Sequence, residues 1–394
     1  MIDFPNNPTV GQQFTSAGVT WTWDGFKWTA AGLNVAYLPL AGGTMLGPLT
    51  LQANPVGNLD AAPKQYVDAL SMGYPLGDNR IINGDMRIDQ RNNGAPGAAI
   101  GYTADRWSYI GTQASKVQWQ RTGGSGLAGF PYNLGFNVTA YAPLAGDTFY
   151  VTQIIEADMI SDFAWGTAQA QPVTLQFWTA SSLTGAFSGA ICNDNAGVPS
   201  RSYCFAFSIP VANVWTKVTV TIPGDTTGLW AMSGNGIGAQ LRFDLGTGAT
   251  YRAAAGWHNG NFVGVNGSVN VVAVSGGTFN LTGVKLEIGS VATPFNRQSL
   301  AKSMADCQRY YSNTVSVWYS AYMTASNNFG LPVAFPTTMR ASPTVTFNTP
   351  SYVNASGLAV AFGPSLNNVS IYAVATATGP ANFNFNSLIL NAEL

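Results

Sequence analysis

Apolar and polar residues alternate with a period of two through most of this chain. In residues 217–222, Val218, Val220 and Ile222 take one face and Lys217, Thr219 and Thr221 the other, the pattern of a strand with one buried side. In residues 173–178, Val173, Leu175 and Phe177 share a face opposite Thr174, Gln176 and Trp178. Comparable runs lie at 149–155, 190–193, 203–209, 215–222, 240–245, 269–274 and 278–287, separated by loops rich in Gly, Asn, Ser and Pro. Short strands at this spacing predict an antiparallel sandwich or jelly roll. A second series at 316–323, 344–348, 358–362, 369–376 and 383–390 predicts a further β domain.

Two stretches depart from this period. Residues 298–311 place Leu300, Met304, Cys307 and Tyr311 on one helical stripe. Residues 60–70, DAAPKQYVDAL, carry a capping Asp60, Pro63 near the first turn, and Pro63, Tyr66, Val67 and Leu70 on one face. A helix this short is marginal alone in water, so it reads as a shaft element packing on copies of itself. Near the start, Trp21 and Trp23 are separated from Trp28 by Asp24-Gly25, a hairpin signal with aromatics placed to stack across the pair.

The chain is therefore expected to be mainly β, in four parts. These are a small N-terminal β module at 1–31, a shaft and linker with a short helix at 32–77, an antiparallel β-sandwich at 78–297, and a C-terminal β tip domain, preceded by a helix, at 298–394. Composition narrows the reading. Charged residues make up 9% of the chain, against about 25% in ordinary domains, while apolar residues make up 46%. With a net charge of −1 there is no basic footprint for nucleic acid and no basic run for a membrane surface. No apolar run has the length of a membrane span, and MIDFPNNPT has neither the charged nor the apolar region of a signal peptide. The cysteines at 192, 204 and 307 are read as free thiols. After Arg309 the tip carries only Arg340 and Glu393 as charges, so it is expected to bury apolar area against its copies.

Candidate chemistry is sparse. His258 is the single histidine, in a Gly/Asn loop, and no nucleophile elbow accompanies it. Glu156, Asp158 and Asp162 cluster locally but read as residues around a turn or short helix rather than the paired acids of glycoside hydrolysis. Asp85, Asp89 and Glu287 are oxygen ligands of the type calcium takes, yet Glu287 reads as satisfying backbone donors or a cation. No enzyme activity, metal or cofactor is expected. The loops offer more. GDTTGLWAMSGNGIG carries Trp230, and RAAAGWHNGNFVG gathers Trp257, His258, Asn259 and Asn261. Aromatic faces beside amides suit sugars, because rings meet C–H faces and amides meet hydroxyls. Asn327, Asn328, Phe329, Tyr352, Asn367 and Asn368 form another such set in the tip.

Several phrases carry a resemblance. YLPLAGGTMLGPLTL at 37–51 with DAAPKQYVDAL resembles a recurring element of bacteriophage tail fibres. Residues 1–31 resemble a module at the head of many phage tail proteins. INGDMRIDQR with YTADRW, closed by GVKLEIGSVATPF, resembles the carbohydrate-binding-module-like jelly roll of tail fibres, and CQRYY with MRASPTVTF resembles the tip that follows it. In that resemblance Trp107, Trp165 and Phe295 are mainly fold markers. It implies a non-enzymatic, homotrimeric fibre or receptor-binding protein, made in the host cytoplasm and carried in the virion. Its N-terminal module, with Trp21, Trp23 and Trp28, would dock to a tail or baseplate protein. Its distal β domains would bind a bacterial surface glycan, with no nucleic acid partner and no membrane insertion. The alternatives are a depolymerase tailspike and a purely structural tail or collar protein.

Overall fold

A computed structural model describes residues 3–16, 18–31, 78–193, 199–360 and 363–394. The expected shaft and its helix lie outside the described residues. Among those described, the chain is mainly β, and no helix is long and apolar enough to cross a membrane. The described residues fall into two compact units, those up to 31 in the first and those from 78 onward in the second.

In the first unit, β1 (Gln13–Ser16), β2 (Val19–Trp23) and β3 (Trp28–Ala31) make an antiparallel meander with Trp23 opposite Trp28. The Asp24 carboxylate accepts the amides of Phe26 (2.9 Å) and Lys27 (2.8 Å), which hold its pKa below the usual carboxylate range. Phe4 stacks on Trp28 at 5.3 Å and meets Trp21 edge-on at 5.4 Å. The tryptophans thus form a miniature core.

The second unit opens with a two-sheet sandwich. Its strands are β4 (Gly101–Ala104), β5 (Trp107–Gly111), β6 (Val117–Leu127), β7 (Phe130–Val138), β8 (Phe149–Glu156), β9 (Val173–Ser181) and β10 (Gly185–Cys192). They continue with β11 (Arg201–Ile209), β12 (Thr216–Ile222), β13 (Ile237–Asp244), β14 (Arg252–Ala253), β15 (Gly256–Asn259), β16 (Gly264–Val265) and β17 (Thr278–Ile288). One sheet runs β15-β11-β10-β13-β8-β5-β4 and the other β12-β9-β17-β7-β6. Phe177 on β9 bridges them, meeting Phe207 at 5.0 Å and Phe243 at 4.9 Å. In β12, Val218 and Ile222 are buried and Lys217, Thr219 and Thr221 exposed, as the alternation predicts. Two departures have clear causes. Residues 269–274 form no strand; Asn270 caps a 3-10 turn at Val271–Ala273, in which adjacent Val271 and Val272 are both buried, an arrangement period-two alternation does not give. The hairpin β6–β7 hides in sequence because Gly123, Gly124 and Gly126 read as loop, whereas the strand absorbs them as a register shift.

The opening phrase is a structural clamp. The Asn83 side chain bonds Ile88 and Asp105 backbone groups, and the Trp107 indole donates to the Asn83 carbonyl at 3.1 Å. A Cβ on Gly84 would lie 2.1 Å from the Val284 oxygen, so only glycine fits. All three cysteines are buried and free. Cys204 pairs in register with Ala190, not with Cys192, and burial pushes its thiol up to about 12.

The tip follows. Helix α1 (Leu300–Gln308) starts at Ser299, whose hydroxyl accepts from the Lys302 amide. It is shorter than the predicted stripe: Leu300 is exposed and Tyr311 begins β18 (Tyr311–Met323), so Ser303 and Cys307 carry the buried face. β19 (Asn328–Ala334), β20 (Thr344–Asn348), β21 (Ser351–Val353), β22 (Ala355–Val360), β23 (Asn368–Ala375) and β24 (Gly379–Asn391) complete two sheets. These run β18-β24-β20, with β21 also on β24, and β19-β23-β22. Phe329, Phe383, Phe385, Leu388 and Leu390 fill the core between them. Phe329 is therefore not a surface aromatic.

Sandwich and tip share a buried polar junction. Arg309 pairs with Glu156 at 3.0 Å, and the Tyr310 hydroxyl donates to Glu156 at 2.8 Å. Glu393 pairs with Arg106 and with Arg91 at 3.0 Å. Asp105, beneath them, accepts the Gln90 amide at 2.9 Å, yet burial raises its pKa from 3.8 to about 6. The folded chain therefore keeps a proton that the unfolded chain has lost between those values, and stability falls as pH rises through that window. Asp105→Asn has no such loss. Its stability relative to the parent should improve by on the order of 2 kcal/mol between about pH 4 and pH 7, read by urea unfolding at both values.

Candidate functional site

The central strand of the five-stranded sheet is broken on purpose. The register of β17 against β9 shifts between Thr282 and Lys285. Gly283 takes φ +62°, and a Cβ there would lie 2.8 Å from the Phe130 ring and 3.0 Å from Trp178. Glycine at this bulge lets two aromatics approach the sheet surface. Beyond it, Lys285 and Glu287 sit on the outer face, opposite Gln176 and Thr174 of β9. Both are fully buried, because residues 292–294 cross over them.

That crossing segment is held by the pair beneath it. Lys285 and Glu287 lie 3.1 Å apart. Glu287 accepts the Thr293 amide at 2.7 Å and its hydroxyl at 2.6 Å, while Lys285 donates to the Thr293 hydroxyl and to the Pro294 carbonyl at 3.0 Å. Gln176, 2% exposed, donates to the Thr293 carbonyl. Phe295 then meets Phe130 edge-on at 5.1 Å, and Arg297 lies over Phe130 and pairs with Asp85 at 2.9 Å. Phe295 is thus a half-buried ring on the outer face rather than core.

The result is an open cleft of about 480 Å³, lined by Phe130, Gln176, Trp178, Lys217, Phe295 and Arg297 among others. That volume falls in the range of small-ligand sites. Trp178 and Lys217 are register neighbours across β9 and β12. Among the described residues, six sandwich tryptophans donate their indole N–H internally: Trp107, Trp119, Trp165, Trp215, Trp230 and Trp257. Trp178 has no such acceptor there, which leaves both a half-buried ring face and a donor at the cleft. The sequence held this signal, since alternation put Trp178 on the polar face of its strand.

The residues expected in loops are brought together at the sandwich edge, but Trp257, His258 and Asn259 lie on the edge strand β15, paired in register with β11, rather than in a loop, and the rings are mostly turned to one another. Trp165 meets Trp230 at 4.7 Å and Trp257 at 5.3 Å, and Tyr203 meets Trp257 at 5.1 Å. The Trp257 indole donates to the Pro223 carbonyl at 3.0 Å, and that of Trp230 to Asp225 at 2.9 Å. Asp225 is paired with Arg201 at 2.8 Å. Arg201 also donates to Asn259 at 3.0 Å, and a His258 ring nitrogen lies 2.8 Å from the Ala254 carbonyl. Asn261 accepts from buried Arg242. Trp257→Ala should therefore lower stability by about 2 kcal/mol, seen as a fall in Tm; an unchanged Tm would show the ring free of this packing.

The other candidates separate. Asp85 serves Arg87 (2.7 Å) and Arg297, Asp89 serves Arg121, and Glu287 serves Lys285; the three do not converge. Glu156 faces Arg309, and Asp162 pairs with Arg80 across the 3-10 turn Ala157–Phe163. In the N-terminal module, Trp21, Trp23 and Trp28 lie within the aromatic cluster, while Phe26 at the turn is 93% exposed.

No family model matches the chain, and no curated protein matches it. Solved structures do align. A domain of the bacteriophage CBA120 tailspike protein 4 aligns with 14% identity over 53% of this chain and 21% of that one, TM-score 0.30. A Bacteroides thetaiotaomicron protein named for sugar binding aligns with 14% identity over 54% of this chain and 100% of its own, TM-score 0.34. TmCBM61 in complex with beta-1,4-galactotriose aligns with 12% identity over 54% and 99%, TM-score 0.28. The sandwich described above rests on its own strand pairing.

Proposed function

We propose that the chain is a non-enzymatic, homotrimeric bacteriophage tail fibre protein that binds a glycan on the host bacterial surface. The observation that carries the glycan reading is the cleft over Gly283, where Trp178, Phe130 and Phe295 stand beside two cations, Lys217 and Arg297. Rings supply faces for sugar C–H groups and the polar groups supply hydrogen bonds. No carboxylate lines the cleft among the described residues, which favours binding over cleavage by paired acids. The fibre reading rests on the sequence phrases given first. The sandwich edge with Trp257, His258 and Asn259 on β15 and with Trp230 and Asn261 in the neighbouring connections is the second candidate surface within this reading, favoured by exposed Leu229 and Asn259 beside the rings. The test is a bacterial glycan array with the full chain, Trp178→Ala and Trp257→Ala. A hit lost in Trp178→Ala at unchanged Tm supports the cleft. A hit lost only in Trp257→Ala at unchanged Tm moves the site to the β15 edge.

Assembly has its own test. Trp318 and Tyr322 stand on the outer face of β18, 69% and 76% exposed, on a tip that has two charges after Arg309. In a trimer this face would be covered by another copy. Light scattering at micromolar concentration should give three times the chain mass, and Trp318→Glu with Tyr322→Glu should shift it toward monomer. A monomeric parent would end the trimer proposal. Residues 1–31 would dock to the tail, and their deletion should leave a soluble trimer that no longer joins particles.

A further inference from the structure

Resting on the glycan reading, we infer that the cleft over Gly283 selects an anionic sugar, one bearing a carboxylate or a phosphate. Its charge is one-sided. Lys217 and Arg297 both line it, and no acid does so among the described residues. Lys217 is exposed and forms no ion pair among those residues, and it sits in register beside Trp178. Arg297 has Asp85 as its acid, at 2.9 Å, but Asp85 also serves Arg87 at 2.7 Å. Two guanidinium groups therefore share one carboxylate, and a positive excess remains at this wall. The other charges below the cleft cancel, since Lys285 and Glu287 are paired and buried.

A ring stacked on Trp178 would bring a substituent within reach of the Lys217 ammonium. The Arg297 guanidinium lies over the Phe130 ring on the same cleft, adding a second cation to its lining. A neutral sugar fills the same volume but leaves the excess charge uncompensated. Lysine is also the point-charge donor suited to either anion, while the Arg297 guanidinium already spends two of its nitrogens on Asp85 and the Gly129 carbonyl.

The experiment uses the full chain on an array of neutral, uronate-bearing and phosphate-substituted bacterial polysaccharides. Each hit is then re-measured after carboxyl reduction or dephosphorylation, against the parent, Lys217→Gln, Lys217→Glu and Trp178→Ala. The expected hits are anionic. Affinity should fall several-fold in Lys217→Gln and at least tenfold in Lys217→Glu. Removing the anion from the glycan should cost the parent a similar factor and cost Lys217→Gln little more. Which chemical treatment abolishes the effect identifies carboxylate or phosphate. Neutral hits that need Trp178 but ignore Lys217→Glu would overturn the inference and leave the glycan cleft standing. Hits indifferent to Trp178→Ala, or none at all, would overturn the cleft reading and this inference with it. Lys217 is solvent-facing, so an unchanged Tm is expected in both of its variants.

Discussion

Glu393→Ala is expected to cost about 3–5 kcal/mol of stability, the loss seen when one partner of a buried ion pair is removed. Glu393 lies between Arg91 and Arg106, and Arg106 is 2% exposed. The arginines are otherwise enclosed by rings: Arg106 lies 3.5 Å from the Tyr310 centroid, and Arg91 lies 3.5 Å and 4.2 Å from those of Tyr311 and Tyr102. Rings lend a cation some support, but no other acid pairs with either arginine among the described residues. Because Tyr310 and Tyr311 belong to the tip and Arg91, Tyr102 and Arg106 to the sandwich, the loss falls on their shared junction. Urea unfolding should show a lower midpoint, and intrinsic fluorescence should report the tip separating before the sandwich. A change under about 1 kcal/mol would mean the pair behaves as a surface contact.

Lys285→Met should be comparably severe, about 3–5 kcal/mol, and should also empty the cleft of function. It strands the Glu287 carboxylate, 1% exposed, without its cation. It also removes the donors that hold Thr293 and Pro294 over the sheet. Phe295 and Arg297 follow directly in the chain, so one wall of the cleft loses its anchor. Calorimetry gives the stability and glycan binding gives the function. A variant that melts normally and still binds would show that residues 292–294 hold without the pair.

Much of this was legible in sequence. Alternation identified most strands between 149 and 288 and the faces of β9 and β12; in β12 one face is exposed, whereas in β9 the polar face is covered as well, with Thr174 and Gln176 buried. Other features were hidden by their own chemistry. Glycines in β6 imitate a loop, and the paired valines at 271 and 272 imitate a strand. Glu287 was readable as satisfying backbone donors or a cation, and it accepts the Thr293 amide and pairs with Lys285; that residues 292–294 lie over both is seen only in the folded chain. The cleft itself joins residues from β7, β9, β12 and the segment after β17, a juxtaposition no local window contains. What remained readable was the oddity of each part: an aromatic on a polar face at Trp178, and a glycine inside a strand at Gly283.

The position of β17 has a consequence for how the protein is made. This strand lies between β9 and β7 in the middle of its sheet, yet it is the last strand of the sandwich to be synthesised. Its partners include the first residues of the unit: the Arg80 amide donates to Leu286, the Val284 amide to Gly84, and Asn79 bonds Val284 across 205 positions. At synthesis rates of about 5–20 residues per second, the span from the start of β9 to the end of β17 takes roughly 6–20 seconds. During that interval β9 and β7 present open edges, the state in which neighbouring nascent chains pair wrongly. Hairpins such as β6–β7 and β10–β11 close locally and early, so the vulnerable period begins with β9 and ends only when residues 278–288 have left the ribosome.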